Sequence, residues 1–312
     1  MRIIFNLMSL NTNSGGSYVI LKQMETLKES GFNVCVNYMT ELEENAWSNI
    51  VNQKYEKVDF NSINYDDVLV VSEEFVFYAY ELLQRSQNFK FVIQNQGLSG
   101  SINSDIDYKK QKLTYNKAIA ILTNSYETSL GVRKLFDVPQ SKITTFRIGI
   151  DKQFYYPEKK SNSICFLGYK NRDLAIFFKR YLQGKYLNWN IIEINNKSKQ
   201  ETAEVFRKSK LFLNFPVYEG FGLPPLEAAF SGCKVIGSHG YGGKEFFKEP
   251  IFTTVNHMDY LDFMNKLDKV ISDIDIWRSE DIEYVDYLRN FYSMEKFKSS
   301  IINFFGSITS YK

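Results

Sequence analysis

Short apolar runs and longer amphipathic stretches take turns along this chain, and past residue 163 the alternation starts over. In the first half, residues 3–7, 34–38, 68–72, 91–94, 119–124 and 143–148 are rich in β-branched or aromatic side chains, as buried strands are. Between them, 17–30, 73–87, about 108–117 and 126–136 carry helical signals. Residues 151–163, with Pro157 and the run Glu158-Lys159-Lys160, lose all periodicity and predict a linker. The second half then offers strands at 164–167, 191–194, 211–215 and 234–237, with helices at 173–182 and 201–209. This pattern predicts an α/β chain of two Rossmann-like doubly wound domains, 1–150 and 164–292. A length of 312 residues suffices for two separate cores. In the tail, Met294, Phe297, Ile301, Phe304 and Ile308 have the spacing of an amphipathic helix.

The most informative stretch follows the apolar run Leu211-Phe-Leu-Asn-Phe215 and reads Glu219-Gly-Phe-Gly-Leu-Pro-Pro-Leu-Glu227. Gly220 and Gly222 permit a tight turn and close approach of a ligand. Pro224 and Pro225 suit the first turn of a helix, where a missing N–H costs nothing, and Gly232 is placed to end it. A strand thus hands over through glycines to a helix N-terminus, where the free N–H groups of Phe221, Gly222 and Leu223 would attract an anion such as a diphosphate. Glu219 and Glu227 bracket that turn. Carboxylates repel phosphate, so they are expected to accept hydrogen bonds from hydroxyls, a sugar on one side and a ribose on the other.

This stretch, followed by Ser231-Gly-Cys-Lys-Val-Ile-Gly237, resembles the Glu-x7-Glu signature of retaining GT-B glycosyltransferases of family 4. The resemblance extends more weakly over nearly the whole chain. It implies a GT-B fold, two Rossmann-like domains facing a cleft, with a nucleotide-diphosphate sugar on the second domain and an acceptor on the first. It also implies that the last helix, about 293–312, packs back on the first domain. By the same resemblance Glu219 lies at the hydroxyls of the donor sugar and Glu227 at the ribose. In Gly168-Tyr-Lys-Asn-Arg172, at another strand end, Lys170 and Arg172 are candidates to neutralise the departing diphosphate, although the family's loop here is longer.

The resemblance adds candidates elsewhere. Gly15 and Gly16 end the loop Asn13-Ser-Gly-Gly16, which in the family faces the donor diphosphate and the acceptor. It is not Gly-x-Gly-x-x-Gly, so nicotinamide-dinucleotide binding is poorly supported. Asn95, in Gln94-Asn-Gln-Gly97, stands where relatives often carry a sugar-binding histidine. Gly243 belongs to Gly240-Tyr-Gly-Gly-Lys-Glu245, similar to the family's Gly-Gly…Glu loop with one residue fewer. The family pattern makes Glu219 an orienting group rather than a nucleophile, and with few histidines near the cleft the acceptor proton is expected to go to the leaving phosphate. By resemblance, too, the pathway would be bacterial surface polysaccharide synthesis.

A net charge of +2 gives no footing for nucleic acid. Cys35, Cys165 and Cys233 lie in or beside apolar runs without a Cys-x-x-Cys, as buried reduced thiols of a cytoplasmic protein do. The N-terminal apolar run is too short for a signal peptide, and no stretch reaches the length of a membrane span. A lipid-linked or glycan acceptor would be met from outside the bilayer. The cationic run 108–117 is expected to be a solvated helix face, with peripheral contact at the inner membrane as the alternative. Asp105-Ile-Asp107 and Asp273-Ile-Asp275 match a metal-binding triplet but sit in loop-like context, so no metal and no cofactor is expected. His239 and His257 are expected to be structural. A competing class is a non-catalytic subunit of the same fold that binds a partner or glycan; another is a sugar-nucleotide epimerase.

Overall fold

Two parallel sheets account for both halves of the chain. The computed structural model describes residues 1–7, 15–38, 51–85, 88–102, 106–256 and 258–309. Asn13, Ser14, Asp105 and His257 lie outside them. The chain divides into one unit of Met1–Ile148 with Glu295–Lys312 and a second of Gly149–Met294.

In the first unit, β1 (Ile3–Leu7), β2 (Val34–Tyr38), β3 (Glu56–Lys57), β4 (Val68–Ser72), β5 (Lys90–Asn95), β6 (Ala120–Thr123) and β7 (Ile143–Thr145) line up as β3-β2-β1-β4-β5-β6-β7. Each pair is parallel. The order runs outward from β1 in one direction and then in the other. Its reversal therefore lies between β1 and β4, which are in register from Ile3 opposite Val68. Helices α1 (Gly15–Glu29), α2 (Val76–Arg85), α3 (Leu98–Ile102), α4 (Tyr108–Lys117) and α5 (Tyr126–Phe136) connect the strands. Ile4, Leu69, Val71, Phe91 and Ile93 on one sheet face pack with Ala79, Leu82, Tyr115, Val132 and Phe136.

The second unit holds β8 (Ser161–Leu167), α6 (Arg172–Lys185), β9 (Asn190–Ile194), α7 (Lys199–Lys208), β10 (Ser209–Asn214), α8 (Leu223–Phe230), β11 (Lys234–Gly237), β12 (Phe252–Thr254), α9 (Tyr260–Ser272) and α10 (Ser279–Phe291). Its parallel strands are ordered β12-β11-β10-β8-β9, so the reversal lies between β8 and β10. Ile164, Phe166, Leu211, Leu213 and Ile236 meet Phe178, Leu182, Phe263 and Leu267 on one face. Local signals set the helix starts. Asn171 accepts from Leu174 N–H at 3.3 Å ahead of α6, and Ser198 and Glu201 form a reciprocal capping box ahead of α7. The final helix α11 (Met294–Thr309) lies, from Glu295 on, in the first unit, where Phe297 meets Phe146 and Phe305 meets Phe5 at ring separations of 6.2 and 6.1 Å.

Some boundaries move for physical reasons. The helix expected over 73–87 begins as a 3₁₀ turn, Glu73–Phe75, in which Glu73 is buried. The aperiodic stretch 151–163 is not a free tether: Tyr155 is buried, and Lys160 donates to the Phe206 carbonyl at 3.1 Å and to the Ser231 carbonyl at 2.5 Å. Those carbonyls lie at the ends of α7 and α8, and that of Phe206 also accepts from Ser209 N–H, so the lysine ties two helix C-termini together. All three cysteines are buried free thiols. Among the described residues no helix is long and apolar enough to cross a membrane.

Candidate functional site

The reversal between β8 and β10 opens a crevice at the carboxyl ends of those strands, the usual ligand position in open α/β sheets. Two loops reach it. Residues 168–171 leave β8 and carry Lys170; residues 215–222 leave β10 and carry Glu219. Lys170 Nζ and Glu219 Oε1 form an ion pair, with the side chains 27% and 20% exposed. Tyr169 stands beside them, 62% exposed as a residue, with the Lys170 ammonium 5.6 Å from its ring centre.

The turn after Glu219 ends in Gly222, the N-cap of α8, at φ +86°, ψ +77°. That left-handed conformation favours glycine. No side chain caps this helix, and among the described residues nothing accepts from the N–H groups of Phe221, Gly222 or Leu223. They are free for an anion. The Phe221 ring is not part of that offer: it is 4% exposed and packs 5.2 Å from Phe246 and 5.5 Å from Tyr292. Gly232, at φ +82°, ends α8, with the N–H of Cys233 reaching back to the Ala228 carbonyl at 2.9 Å.

Glu227 is half-buried on α8. Burial raises its pKa, while Lys199 and a hydrogen bond from Tyr155 pull the other way. Burial likewise raises the Tyr169 phenol, and Lys170 opposes this while Glu219 and Glu227 add to it. One phenol thus feels both carboxylates. Tyr155 and Lys199 were missed by sequence reasoning, since a linker tyrosine and a lysine at the start of α7 carry no local signal of a site. Lys199 lies 4.9 Å from the Phe154 ring centre and 5.7 Å from that of Tyr155.

Other predicted residues have different settings. Arg172 is the first residue of α6 and exposed; it helps lower the pKa of Glu193, behind hydrogen bonds from Lys179 and Asn195. Gly243 lies in the loop that contacts Glu219, but its N–H is engaged by the His239 carbonyl at 3.1 Å. His239 Nδ1 accepts from Tyr241 N–H at 3.0 Å, so it holds a turn. Tyr292 donates to Glu245 Oε1 at 2.9 Å. Asp107 caps α4 through Lys110 N–H, and Asp275 pairs with Lys210.

Gly15, Gly16 and Asn95 belong to the first unit. Gly15 and Gly16 open α1, and Gln96 Nε2 reaches the Gly16 carbonyl at 3.4 Å. The Asn95 amide is buried and spent internally: Nδ2 donates to Ser101 Oγ and Tyr115 OH, both at 2.8 Å, and Oδ1 accepts from Gly97 N–H at 3.1 Å. The half-buried Gln96 next to it is the amide with an open side. A cavity of about 480 Å³ lined by Lys152, Tyr155, Tyr156, Asp286 and Arg289 lies in the second unit. Its guanidinium is already bound to the Phe230 carbonyl and Asp286.

No family model matches the chain. A curated relative, an alpha-1,6-glucosyltransferase of Actinobacillus pleuropneumoniae serotype 7 (strain AP76), is 24% identical over 279 residues, 83% of this chain and 80% of its own length. Among solved structures, a glycosyltransferase from Rickettsia africae superposes with a TM-score of 0.77 at 12% identity, covering 100% of this chain and 99% of its own. The Anabaena protein HepE, solved with UDP-glucose, gives 0.73 at 10% identity over 98% of this chain and all of its own. With its two parallel sheets, the chain has the α/β fold of GT-B glycosyltransferase structures.

Proposed function

We propose that this chain is a metal-independent retaining glycosyltransferase that binds a nucleotide-diphosphate sugar in its second unit and passes the sugar to an acceptor hydroxyl. The observation that carries the reading is the set at the β8–β10 reversal. A cation held by Glu219, an uncapped helix N-terminus and a second carboxylate at Glu227 lie on two neighbouring loops and one helix. The name of the Actinobacillus relative and the UDP-glucose bound to HepE support a UDP-sugar, with glucose the first to test.

In this reading the diphosphate lies on the N–H groups of Phe221, Gly222 and Leu223, Glu227 accepts from the ribose hydroxyls, and Glu219 accepts from the sugar. The bond from the anomeric carbon to phosphate oxygen breaks, the acceptor oxygen bonds the same carbon from the same face, and the acceptor proton passes to the leaving phosphate. The hard event is the departure of the diphosphate, and fixed positive charge and N–H dipoles stabilise it without reorganisation. The pairing with Glu219 supports Lys170, rather than exposed Arg172, as the main cation. A glycan or lipid-linked acceptor of surface polysaccharide synthesis fits the proposal. The test is transfer from UDP-glucose to a panel of glycan acceptors with and without chelator, the product's anomeric configuration being read by NMR. Nucleotide binding without turnover toward any acceptor would favour a non-catalytic subunit.

A further inference from the structure

Next to Glu219 the chain makes a turn that only glycine adopts without strain, and the residue there is tyrosine. Tyr241 has φ +71° and ψ −67°, and the N–H of Gly242 bonds back to the Gly240 carbonyl at 3.1 Å, which makes a γ-turn of the rare strained type. Such outliers persist where the surroundings over-determine them, and they gather at functional sites. Here the surroundings are the backbone of Glu219 itself. Its N–H donates to the Gly240 carbonyl at 2.8 Å, and its carbonyl accepts from Gly242 N–H at 3.0 Å. A Cβ on Gly242 would lie 1.9 Å from the Gly220 carbonyl oxygen, so this approach admits nothing larger than glycine.

Burial does not explain the tyrosine. Its side chain is among the exposed large ones, with the residue 62% exposed, and its ring centre lies 6.1 Å from Tyr218 and 6.2 Å from His239. The turn therefore holds an exposed aromatic ring on a segment paired through its backbone with Glu219, and Tyr218 and His239 are the rings nearest to it.

We propose that Tyr241 is a specificity-determining residue whose ring packs against the apolar face of the donor's sugar while Glu219 takes its hydroxyls. This rests on the donor site proposed above. A pyranose offers one face of C–H groups and a rim of hydroxyls, and an exposed phenol and a carboxylate on paired segments supply the chemistry to meet both.

The test compares Tyr241→Gly and Tyr241→Phe with the wild-type chain. Glycine relieves the strained backbone, so the variant is expected to fold at least as stably; phenylalanine keeps the ring. Calorimetry would measure UDP-glucose, UDP-galactose and GDP-mannose, each against its own nucleoside diphosphate. For the sugar nucleotide that the wild type prefers, Tyr241→Gly is expected to bind about tenfold more weakly, with the diphosphate unchanged and Tyr241→Phe close to wild type. Equal losses for sugar nucleotide and diphosphate, or no loss, would overturn the assignment of Tyr241 and leave the donor site standing. A wild-type chain that binds none of these nucleotides would overturn both.

Discussion

Lys170 Nζ and Glu219 Oε1 meet as an ion pair between the loops that follow the neighbouring strands β8 and β10, although 49 residues separate them in sequence. Both side chains are about three-quarters covered, so removing one leaves the other charged and poorly solvated. If the pair works as a unit on the donor, Lys170→Ala and Glu219→Ala each lower transfer by about 10²-fold or more, and the double variant loses far less than the product. A double-mutant cycle on kcat/KM checks this. Strictly multiplicative losses would mean that the two groups act separately.

Tyr155 reaches Glu227 from the segment between the sheets' sequences, and its hydroxyl lowers a carboxyl pKa that burial has raised. Tyr155→Phe removes the hydroxyl and keeps the buried ring. Glu227 then protonates more readily, so donor binding should weaken by about three- to tenfold at neutral pH. The acid limb of its pH profile should also move to higher pH. KM for the donor rises while kcat holds. A variant with an unchanged donor KM and an unshifted limb would show that the hydroxyl has no part in binding.

What could be read in advance was local. An apolar run into Gly220, Gly222, Pro224 and Pro225 predicts a strand, a turn and a helix start because each signal acts within a few residues, and β10 and α8 stand there. The pairing of Lys170 with Glu219 depends on which strands are neighbours, which no window of sequence contains. Tyr155 was hidden for the opposite reason: its stretch lacks periodicity, yet it is held by burial rather than by secondary structure. The Gly-Gly of residues 242–243 suggests amides that close on a donor or else a plain turn; the contacts that no sequence window contains are those of its N–H groups with the Glu219 and His239 carbonyls. Asn95 read as an amide open to a ligand; only the contacts with Ser101 and Tyr115 reveal that it is used up. The three-residue strand β12 was too short to leave a pattern.

Lys160 should matter to stability more than to chemistry. Burial lowers its pKa, and its ammonium serves the Phe206 and Ser231 carbonyls. Lys160→Met keeps much of the stem's packing and abandons both acceptors, a loss of about 1–3 kcal/mol. Urea unfolding should show a lower midpoint with the slope unchanged. An unchanged midpoint would mean that water serves those carbonyls equally well.

Glu73 makes the first unit's stability depend on pH. It is 7% exposed at the end of β4, and burial pushes its pKa up to about 8, against the N–H groups of its own residue, Gln96 and Gly97. From about 4.5, where the unfolded carboxyl titrates, to about 8 the folded state holds a proton that the unfolded chain has released. Stability from this group is therefore full below about 4.5 and declines as pH rises towards about 8. Glu73→Gln mimics the protonated acid at every pH. Its melting temperature should match the wild type's near pH 5 and exceed it at pH 8, by about 1–3 kcal/mol in stability. Equal pH profiles for the two proteins would show that Glu73 ionises in the fold as freely as it does unfolded.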